Sequence, residues 1–195
     1  MARTSQKNHA VHADQLISAE RLFRSGARPP LVSALCGIGK KTAIRIYREI
    51  HNASPKQGML PYDPYWILRS SVNAVHASIF LGAYSDVSRA HRPDRSDAQV
   101  FLTAYELYRS VVARNPRPSL AETGVEQQIL LDINRAWHLT RQLALGDMAL
   151  VVCARCRSRH LVIQEMPKPF RQCPVCDVWA DKAGRRRWVS VKLPI

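Results

Sequence analysis

The chain has 195 residues, 46% of them hydrophobic and 23% charged, which fits a globular protein with one medium and one small domain and excludes an intrinsically disordered chain. Its formal net charge of +14 favours a polyanionic partner such as nucleic acid, although a solubilising surface or anionic lipid would also suit such an excess. Residues 1–13 lack the apolar core of a signal peptide and no apolar run approaches the ~18 residues of a membrane span, so we expect a cytoplasmic protein without a membrane segment.

The basic side chains are concentrated at the two ends of the chain. Residues 1–60 contain 10 Lys/Arg and 3 Asp/Glu, and residues 150–195 again contain 10 and 3, whereas residues 61–149 contain 9 of each. The middle of the chain is therefore neutral, and binding to a polyanion is expected from the two ends.

Apolar residues recur at helical spacing as far as residue 147, after which short β-prone segments follow. The predicted helices are 14–25, 31–36, 40–50, 70–87, 97–112 and 124–145, and the predicted strands are 148–153 and 160–164. The Pro-rich and Gly-rich segment 52–66 is predicted to be a loop. The helix 97–112 is apolar on more than one side, so we expect it to be the most buried.

Helix-end signals support several of these boundaries. Gly26 and Gly146 are expected to end the first and last helices. Two capping boxes, Ser96-x-x-Gln99 and Thr123-x-x-Glu126, mark helix starts. Prolines at 29 and 30 suit a first helical turn.

The predicted fold is mainly α, with a helical body and a small C-terminal zinc ribbon. We divide it into a basic region (1–52), a neutral helical core (53–147), the zinc ribbon (148–180) and a basic tail (181–195).

The ribbon is predicted from four of the five cysteines, which form the pairs Cys153-x-x-Cys156 and Cys173-x-x-Cys176 with sixteen residues between them. This spacing is typical of a zinc site in which four thiolates close the tetrahedral shell and leave no position for water. We therefore expect one structural Zn²⁺ ion that supplies much of the folding free energy of this small module.

Other uses of these cysteines fit less well. Thioredoxin-like chemistry needs a larger βαβ unit, and zinc deaminases carry Pro-Cys-x-x-Cys with His-x-Glu, whereas here a proline follows Cys173 and no His-x-Glu occurs. His160 could replace one cysteine as ligand, but its position in a predicted strand favours a packing or surface role. Cys36 stands alone and is expected to be a small buried apolar residue.

The segment "LCGIGKKTAIRIYREI" (35–50) predicts a basic helix after a glycine-containing turn. At 100° per residue, Lys41, Arg45 and Arg48 fall within an arc of about 60°, opposite an apolar side that includes Ala43. An ordinary amphipathic surface helix would show the same pattern.

This segment fits two nucleic-acid-binding motifs. A helix-hairpin-helix would bind phosphate with the amides around Gly37 and Gly39, whereas a helix-turn-helix would place residues 40–48 in the major groove. A phosphate-binding P-loop is excluded because Ala34 stands where its first glycine is required and Lys41 follows its lysine.

Two longer segments resemble the FlhC family of flagellar master transcriptional regulators. "SPKQGMLPYDPYWILRSSVNAVHASIF" (54–80) is similar to the central segment of that family, and "INRAWHLTRQLALGDMALVVCARC" (133–156) is similar to the stretch that leads into its zinc site. The paired cysteines fall in the same place, so the resemblance extends from about residue 14 to 180.

The resemblance implies a mostly helical DNA-binding subunit that forms a hetero-oligomer with the small helical partner FlhD and activates RNA polymerase at σ70-type promoters. It also implies that Cys153, Cys156, Cys173 and Cys176 are the zinc ligands. Family members carry polar residues in place of Gly-Ile-Gly before the basic helix, which favours a helix-turn-helix-like geometry for the basic region 1–52. The neutral core 53–147 is then expected to be the region that docks the partner. The tail 181–195 does not match flagellar members, and FlhC-like activators on mobile elements control conjugative transfer, so either regulon is open.

We therefore expect a sequence-specific transcriptional activator that is not an enzyme. The residues expected to contact double-stranded promoter DNA are Lys40, Lys41, Arg45, Arg48, Arg155, Arg157, Arg159, Arg171, Arg185, Arg186 and Arg187. The aromatic residues expected to anchor the partner are Trp66, Phe80 and Trp137, although each could equally be a core residue.

Two rival interpretations differ in their chemistry. A nuclease or other DNA-processing enzyme could use a helix-hairpin-helix and the ribbon for non-specific grip, but the acidic residues of 61–149 are too scattered for a Mg²⁺ site. A ribosome-associated RNA-binding ribbon protein would bind RNA equally well and show no promoter preference.

Overall fold

The computed structural model describes residues 2–60, 63–90, 96–114, 131–164 and 172–177. Its helices are α1 (Ala2–Arg24), α2 (Pro29–Cys36), α3 (Lys40–His51), a 3-10 helix (Pro64–Arg69), α4 (Ser71–Arg89), α5 (Asp97–Arg114) and α6 (Ile133–Leu145). The strands β1 (Met148–Val152) and β2 (Arg159–Ile163) form an antiparallel pair in which Leu150 faces Leu161. The mainly α fold is thus confirmed. None of the described helices is both long enough and apolar enough to cross a membrane.

The chain forms two compact units. The first, unit 1, contains Met1–Tyr62 and Ala83–His138, and the second, unit 2, contains Asp63–Gly82 and Leu139–Ile195. Helices α4 and α6 each continue from one unit into the other.

In unit 1, α1 packs on α2, α3 and α5. The fully buried side chains at this junction include Leu22, Phe23, Leu31 and Phe101. Burying apolar side chains of this size contributes about 1.5–3 kcal/mol each, so this cluster is a main source of stability for the helices that carry the basic face. Helix α5, predicted to be the most buried helix, buries seven of its 18 residues, whereas the shorter α2 buries four of eight and therefore a larger fraction.

Two tyrosines of α5 connect it to the start of α6. The Tyr105 hydroxyl donates to the Leu131 carbonyl at 3.1 Å, and the Leu131 N–H donates to the Tyr108 hydroxyl at 3.3 Å. Burial raises the pKa of Tyr108 to about 12, so its hydroxyl stays neutral in this apolar setting. The two bonds give hydrogen-bond partners to the buried carbonyl and N–H of Leu131, which lies outside α6.

Arg28 holds the loop that follows α3. Its guanidinium donates to the carbonyls of Lys56 (2.9 Å), Gly58 (2.6 Å) and Met59 (2.7 Å). The backbone N–H of Arg28 donates to Asn134 Oδ1 at 2.9 Å. One residue between α1 and α2 therefore joins this loop to α6 within unit 1.

In unit 2, the N-terminal half of α4 bonds to the 3-10 helix, where the Asn73 side chain donates to the Trp66 carbonyl, and to the hairpin. Phe80, Leu81, Met148 and Leu161 are among its buried side chains. Ser78 makes the polar link, because its hydroxyl accepts the Leu161 N–H at 3.0 Å.

Helix α1 begins at Ala2 instead of residue 14, because residues 2–25 contain no glycine or proline to stop it. The left-handed Gly26 (φ 89°) follows its end, and the Ala27 N–H donates to the Leu22 carbonyl at 3.0 Å, as in a C-terminal cap. The capping box at α5 is confirmed, since Ser96 N–H donates to Gln99 Oε1 and Gln99 N–H to Ser96 Oγ.

Two other boundaries were predicted wrongly. The 3-10 helix begins at Pro64, inside the segment predicted as loop. Residues 131 and 132 were predicted to be helical, but helix α6 begins at Ile133. The cause is a cap at Asp132, whose Oδ1 accepts the N–H groups of Asn134 (3.0 Å) and Arg135 (3.1 Å). Residues 124–130 and the capping box at Thr123 lie outside the described residues.

Candidate metal centre and candidate nucleic-acid interface

The four cysteines of the two pairs meet in unit 2, where their sulfur atoms all lie within 4.8 Å of one another. Cys153 Sγ is 3.9 Å from Cys176 Sγ, and Cys156 Sγ is 3.6 Å from Cys173 Sγ. A tetrahedral ion with Zn–S bonds of about 2.3 Å requires S–S edges of about 3.8 Å. The two distances bracket this edge length, so the cluster has the dimensions of a four-thiolate metal site.

The first pair is held by a tight turn between β1 and β2. The Arg157 N–H donates to the Cys153 carbonyl, and the Cys153 N–H donates to the Ser158 carbonyl, both at 2.9 Å. Arg157 itself is left-handed, with φ 62°. These bonds turn both sulfur atoms of the pair to the same side, as metal coordination requires.

The second pair is held by a helical turn. Pro174 follows Cys173 in the first position of this turn, where its missing N–H costs nothing, and the Asp177 N–H donates to the Cys173 carbonyl at 3.1 Å. Asp177 is buried, and its Oδ2 accepts the hydroxyl of Ser71 at 2.5 Å. The residue after the last cysteine thus ties the cluster to the first residue of α4.

The cluster favours a divalent cation electrostatically. The N–H groups of Cys156 and Arg155 lower the pKa of Cys153, and the hydroxyl and N–H of Ser158 lower that of Cys156 to about 6. Burial, followed by the neighbouring thiols, raises the pKa of Cys176 to about 12. Four ionised thiols would place like charges within 4.8 Å of one another, and a bound cation would compensate them.

Neither His160, considered as a replacement ligand, nor the lone Cys36 is a member of the cluster. His160 is buried in β2, opposite Val151, and is not one of the clustered ligands. Its Nδ1 has no hydrogen-bond partner among the described residues. Cys36 is 4% exposed in α2, and burial raises its pKa to about 11, so it is the inert buried thiol expected from the sequence.

Ser158 was not predicted as part of the site. Its Oγ lies 2.9 Å from Cys156 Sγ and 3.5 Å from Cys173 Sγ. The sequence signal for its role is a hydroxyl residue two positions after a paired cysteine. A search for metal-ligand spacing does not find it, because such a search considers only the ligand residues themselves.

The basic face of α3 is exposed, as its periodicity predicted. Lys40, Lys41, Arg45 and Arg48 are all exposed, whereas Ala43 on the other side is completely buried. Arg45 Nε lies 3.8 Å from Glu49 Oε1, and this pair is open to solvent. Among the described residues, no carboxylate forms an ion pair with the other three, so their charges are available to an anion.

The turn before α3 depends on one of its two glycines. Gly37 has φ 64°, the left-handed region that favours glycine, whereas Gly39 has φ −63° and ψ 147°, which any residue can adopt. Ile38 between them is 7% exposed, and its carbonyl accepts the Ser33 hydroxyl at 2.7 Å. The buried Ile38 fixes the connection between α2 and α3.

The predicted contacts of the second basic region are only partly described. Arg155 and Arg157 are exposed on the turn between the strands. Arg159 is exposed on β2, and its guanidinium lies next to Gly82 of α4: a Cβ at this glycine would be 3.7 Å from it, which is ordinary van der Waals contact. The remaining four, Arg171, Arg185, Arg186 and Arg187, lie outside the described residues.

The three aromatic residues expected to anchor a partner differ in burial. Phe80 is completely buried in unit 2, so a partner could contact it only if the unit opened. Trp66 and Trp137 are half-buried. In unit 1, α5 also exposes Leu107 (46%) and Val111 (41%). The sequence analysis predicted only that this helix is apolar on more than one side.

The left-handed conformation of Arg157 gives a testable prediction for the first turn. A β-branched residue is strained at this φ and glycine is not, so we expect Arg157→Val to lower the free energy of unfolding of unit 2 by about 1–2 kcal/mol and Arg157→Gly to leave it equal or higher. Denaturant titration of the metal-loaded variants measures both. Because both variants lose the same charge, equal stability of the two would contradict this assignment of strain.

Comparison with known proteins shows which protein family this chain resembles. The family profile described as "Flagellar transcriptional activator (FlhC)" matches residues 4–190. "Flagellar transcriptional regulator FlhC" of Verminephrobacter eiseniae is 30% identical over 187 residues, which cover 96% of this chain and 94% of the relative. Proteins of the same name from Gallionella capsiferriformans (30% identity, 84% of each chain) and Thauera aminoaromatica (28% identity, 95% of this chain and 90% of the relative) are similarly close.

Proposed function

This chain belongs to the FlhC family of flagellar transcriptional activators, and on that premise we propose that it is the sequence-specific DNA-binding subunit of an FlhDC-like hetero-oligomer. Relatives of this family are named transcriptional regulators, and the chain is a regulator and not an enzyme. The observation that carries the DNA-binding assignment is the exposed basic face of α3 on a packed helical unit.

We assign zinc to the four-cysteine cluster. Soft thiolates select zinc or iron–sulfur chemistry over magnesium or calcium, and a single ion with four thiolates at these S–S distances fits tetrahedral Zn²⁺. Such an ion has no open coordination position, so its role is to hold the two turns together.

Contacts to DNA would be divided between the two ends of the chain. Lys40, Lys41, Arg45 and Arg48 would lie against the duplex from α3, with the geometry of a helix-turn-helix. Arg155, Arg157 and Arg159 of the ribbon, together with Arg171 and Arg185 to Arg187, would add phosphate contacts. Phosphate contacts supply most of the affinity, and the fewer base contacts supply the sequence preference.

A helical FlhD-like partner would cover apolar surface of the neutral middle of the chain. Trp66 and Trp137 are its proposed anchors because aromatic side chains concentrate binding energy, and the exposed Leu107 and Val111 of α5 extend the available apolar area. Phe80 would contribute indirectly, by supporting α4 from inside unit 2. The assembled complex would then engage RNA polymerase at σ70-type promoters.

The proposed targets are flagellar genes or, as for FlhC-like activators on mobile elements, conjugative-transfer genes. The test is binding of the purified protein to flagellar promoters, transfer promoters and scrambled DNA of equal length at about 0.15 M salt, with and without co-expressed FlhD-like partner. We expect one promoter class to bind at least ten times more tightly than scrambled DNA, and only with the partner.

Binding that is equally tight on all three probes, with or without the partner, would refute the activator assignment and favour the helix-hairpin-helix. Equal binding to RNA would instead favour a ribosome-associated role.

A further inference from the structure

The four thiolates of the cluster have unequal surroundings. Cys156 is the exposed member, whereas Cys153, Cys173 and Cys176 are half-buried. An exposed thiolate is the one that water, competing chelators and electrophiles reach first, so the durability of the site depends most on how Cys156 is held.

Ser158 lies directly against that exposed sulfur. Its Oγ is 2.9 Å from Cys156 Sγ and 3.5 Å from Cys173 Sγ, one sulfur from each pair. Once both cysteines are ionised and bound to a metal, neither sulfur has a proton to donate. The hydroxyl is then the donor, and its single proton is directed mainly to the nearer sulfur.

The backbone fixes the hydroxyl in this position. The Ser158 carbonyl accepts the Cys153 N–H at 2.9 Å, and the left-handed Arg157 before it closes the turn. A tetrathiolate site around Zn²⁺ carries a net charge of −2, so a donor between two of its sulfurs relieves part of the negative charge.

We propose that Ser158 is a positioning residue that keeps the exposed Cys156 thiolate on the metal by donating a hydrogen bond to its sulfur. Removing the hydroxyl leaves this sulfur without the donor that orients it towards the ion, so the ion is lost more readily. The inference rests on the zinc assignment made above. It assigns no step to the metal, which stays structural.

The experiment compares the full-length wild type with Ser158→Ala. We expect Ser158→Ala to bind Zn²⁺ about tenfold more weakly in competition with a chromophoric chelator, the usual lower limit for loss of a partner that orients a ligand. We also expect its Co²⁺-loaded form to show a thiolate-to-metal charge-transfer band at lower energy, because the sulfur becomes more electron-rich. Ser158→Thr keeps a hydroxyl and should restore both values towards the wild type.

A matched control separates this role from general stability. Ser78→Ala also removes one serine hydroxyl from unit 2, but this hydroxyl lies on α4, where it donates to the Ala74 carbonyl and accepts the Leu161 N–H. It should lower the free energy of unfolding without moving the charge-transfer band.

Each outcome has one meaning. A Ser158→Ala protein with the wild-type Zn²⁺ affinity and the wild-type Co²⁺ spectrum overturns the inference and leaves the zinc assignment intact. A wild-type protein that binds neither Zn²⁺ nor Co²⁺ overturns both.

Discussion

Removing the metal from the four-cysteine cluster is expected to unfold the ribbon of unit 2. Structural zinc contributes about 10–16 kcal/mol in zinc-finger peptides, which equals or exceeds the entire stability of most domains. The hairpin of five-residue strands cannot replace that energy, since isolated two-stranded hairpins are marginal in water. The cluster also holds Asp177 against Ser71, so the start of α4 should loosen with it.

Amide hydrogen exchange locates the effect. After treatment with a strong zinc chelator, the amides of Cys153 and Leu161 should lose protection, because their acceptors are the Ser158 carbonyl and the Ser78 hydroxyl of unit 2. The Ala43 amide of α3, which donates to the carbonyl of Gly39 immediately before the helix, should remain protected.

Two substitutions of the same chemistry provide the control. Cys173→Ser removes a ligand and should reproduce the effect of the chelator. Cys36→Ser alters a buried thiol of α2 and should leave metal binding unchanged. It should lower the free energy of unfolding by about 1–3 kcal/mol, because a hydroxyl is then buried. Continued protection of Leu161 after chelation would show that the ribbon folds without metal.

Alanine substitution of Lys41, Arg45 and Arg48 together is expected to weaken promoter binding about 100-fold. Each charged hydrogen bond is worth about 1.5 kcal/mol or more, and part of the loss is recovered by neighbouring cations such as Lys40. If all three contact phosphates, the slope of log K against log salt concentration should fall by about 2.7, at about 0.9 per contact. Titration at several salt concentrations in the presence of the partner measures both quantities.

The matched control replaces three other exposed arginines that already have carboxylate partners. Arg24 pairs with Glu20, Arg69 with Asp63 and Arg89 with Asp86. Their substitution by alanine lowers the net charge by the same three units, and exposed pairs of this kind contribute little to stability. If this control weakens binding as much as the α3 variant, overall charge and not the α3 face governs DNA binding.

The local features of this protein were readable in its sequence. Periodicity located the basic face of α3, and the glycines and the Ser96 capping box marked helix ends, because each depends on residues within about four positions. The two cysteine pairs predicted a metal site for the same reason, since each pair fits one short turn.

The contacts that complete the site join residues far apart in the chain, and no local pattern contains them. Ser71 meets Asp177 across 106 positions, Ser78 meets Leu161 across 83, and Ser158 meets Cys173 across 15. The start of α6 also escaped prediction, because apolar periodicity does not show that the Asp132 carboxylate accepts two backbone N–H groups and caps the helix there. Spacing can identify the four sulfurs, and Ser158 lies only two positions from the exposed Cys156, but packing alone brings Cys173 of the second pair to the same hydroxyl.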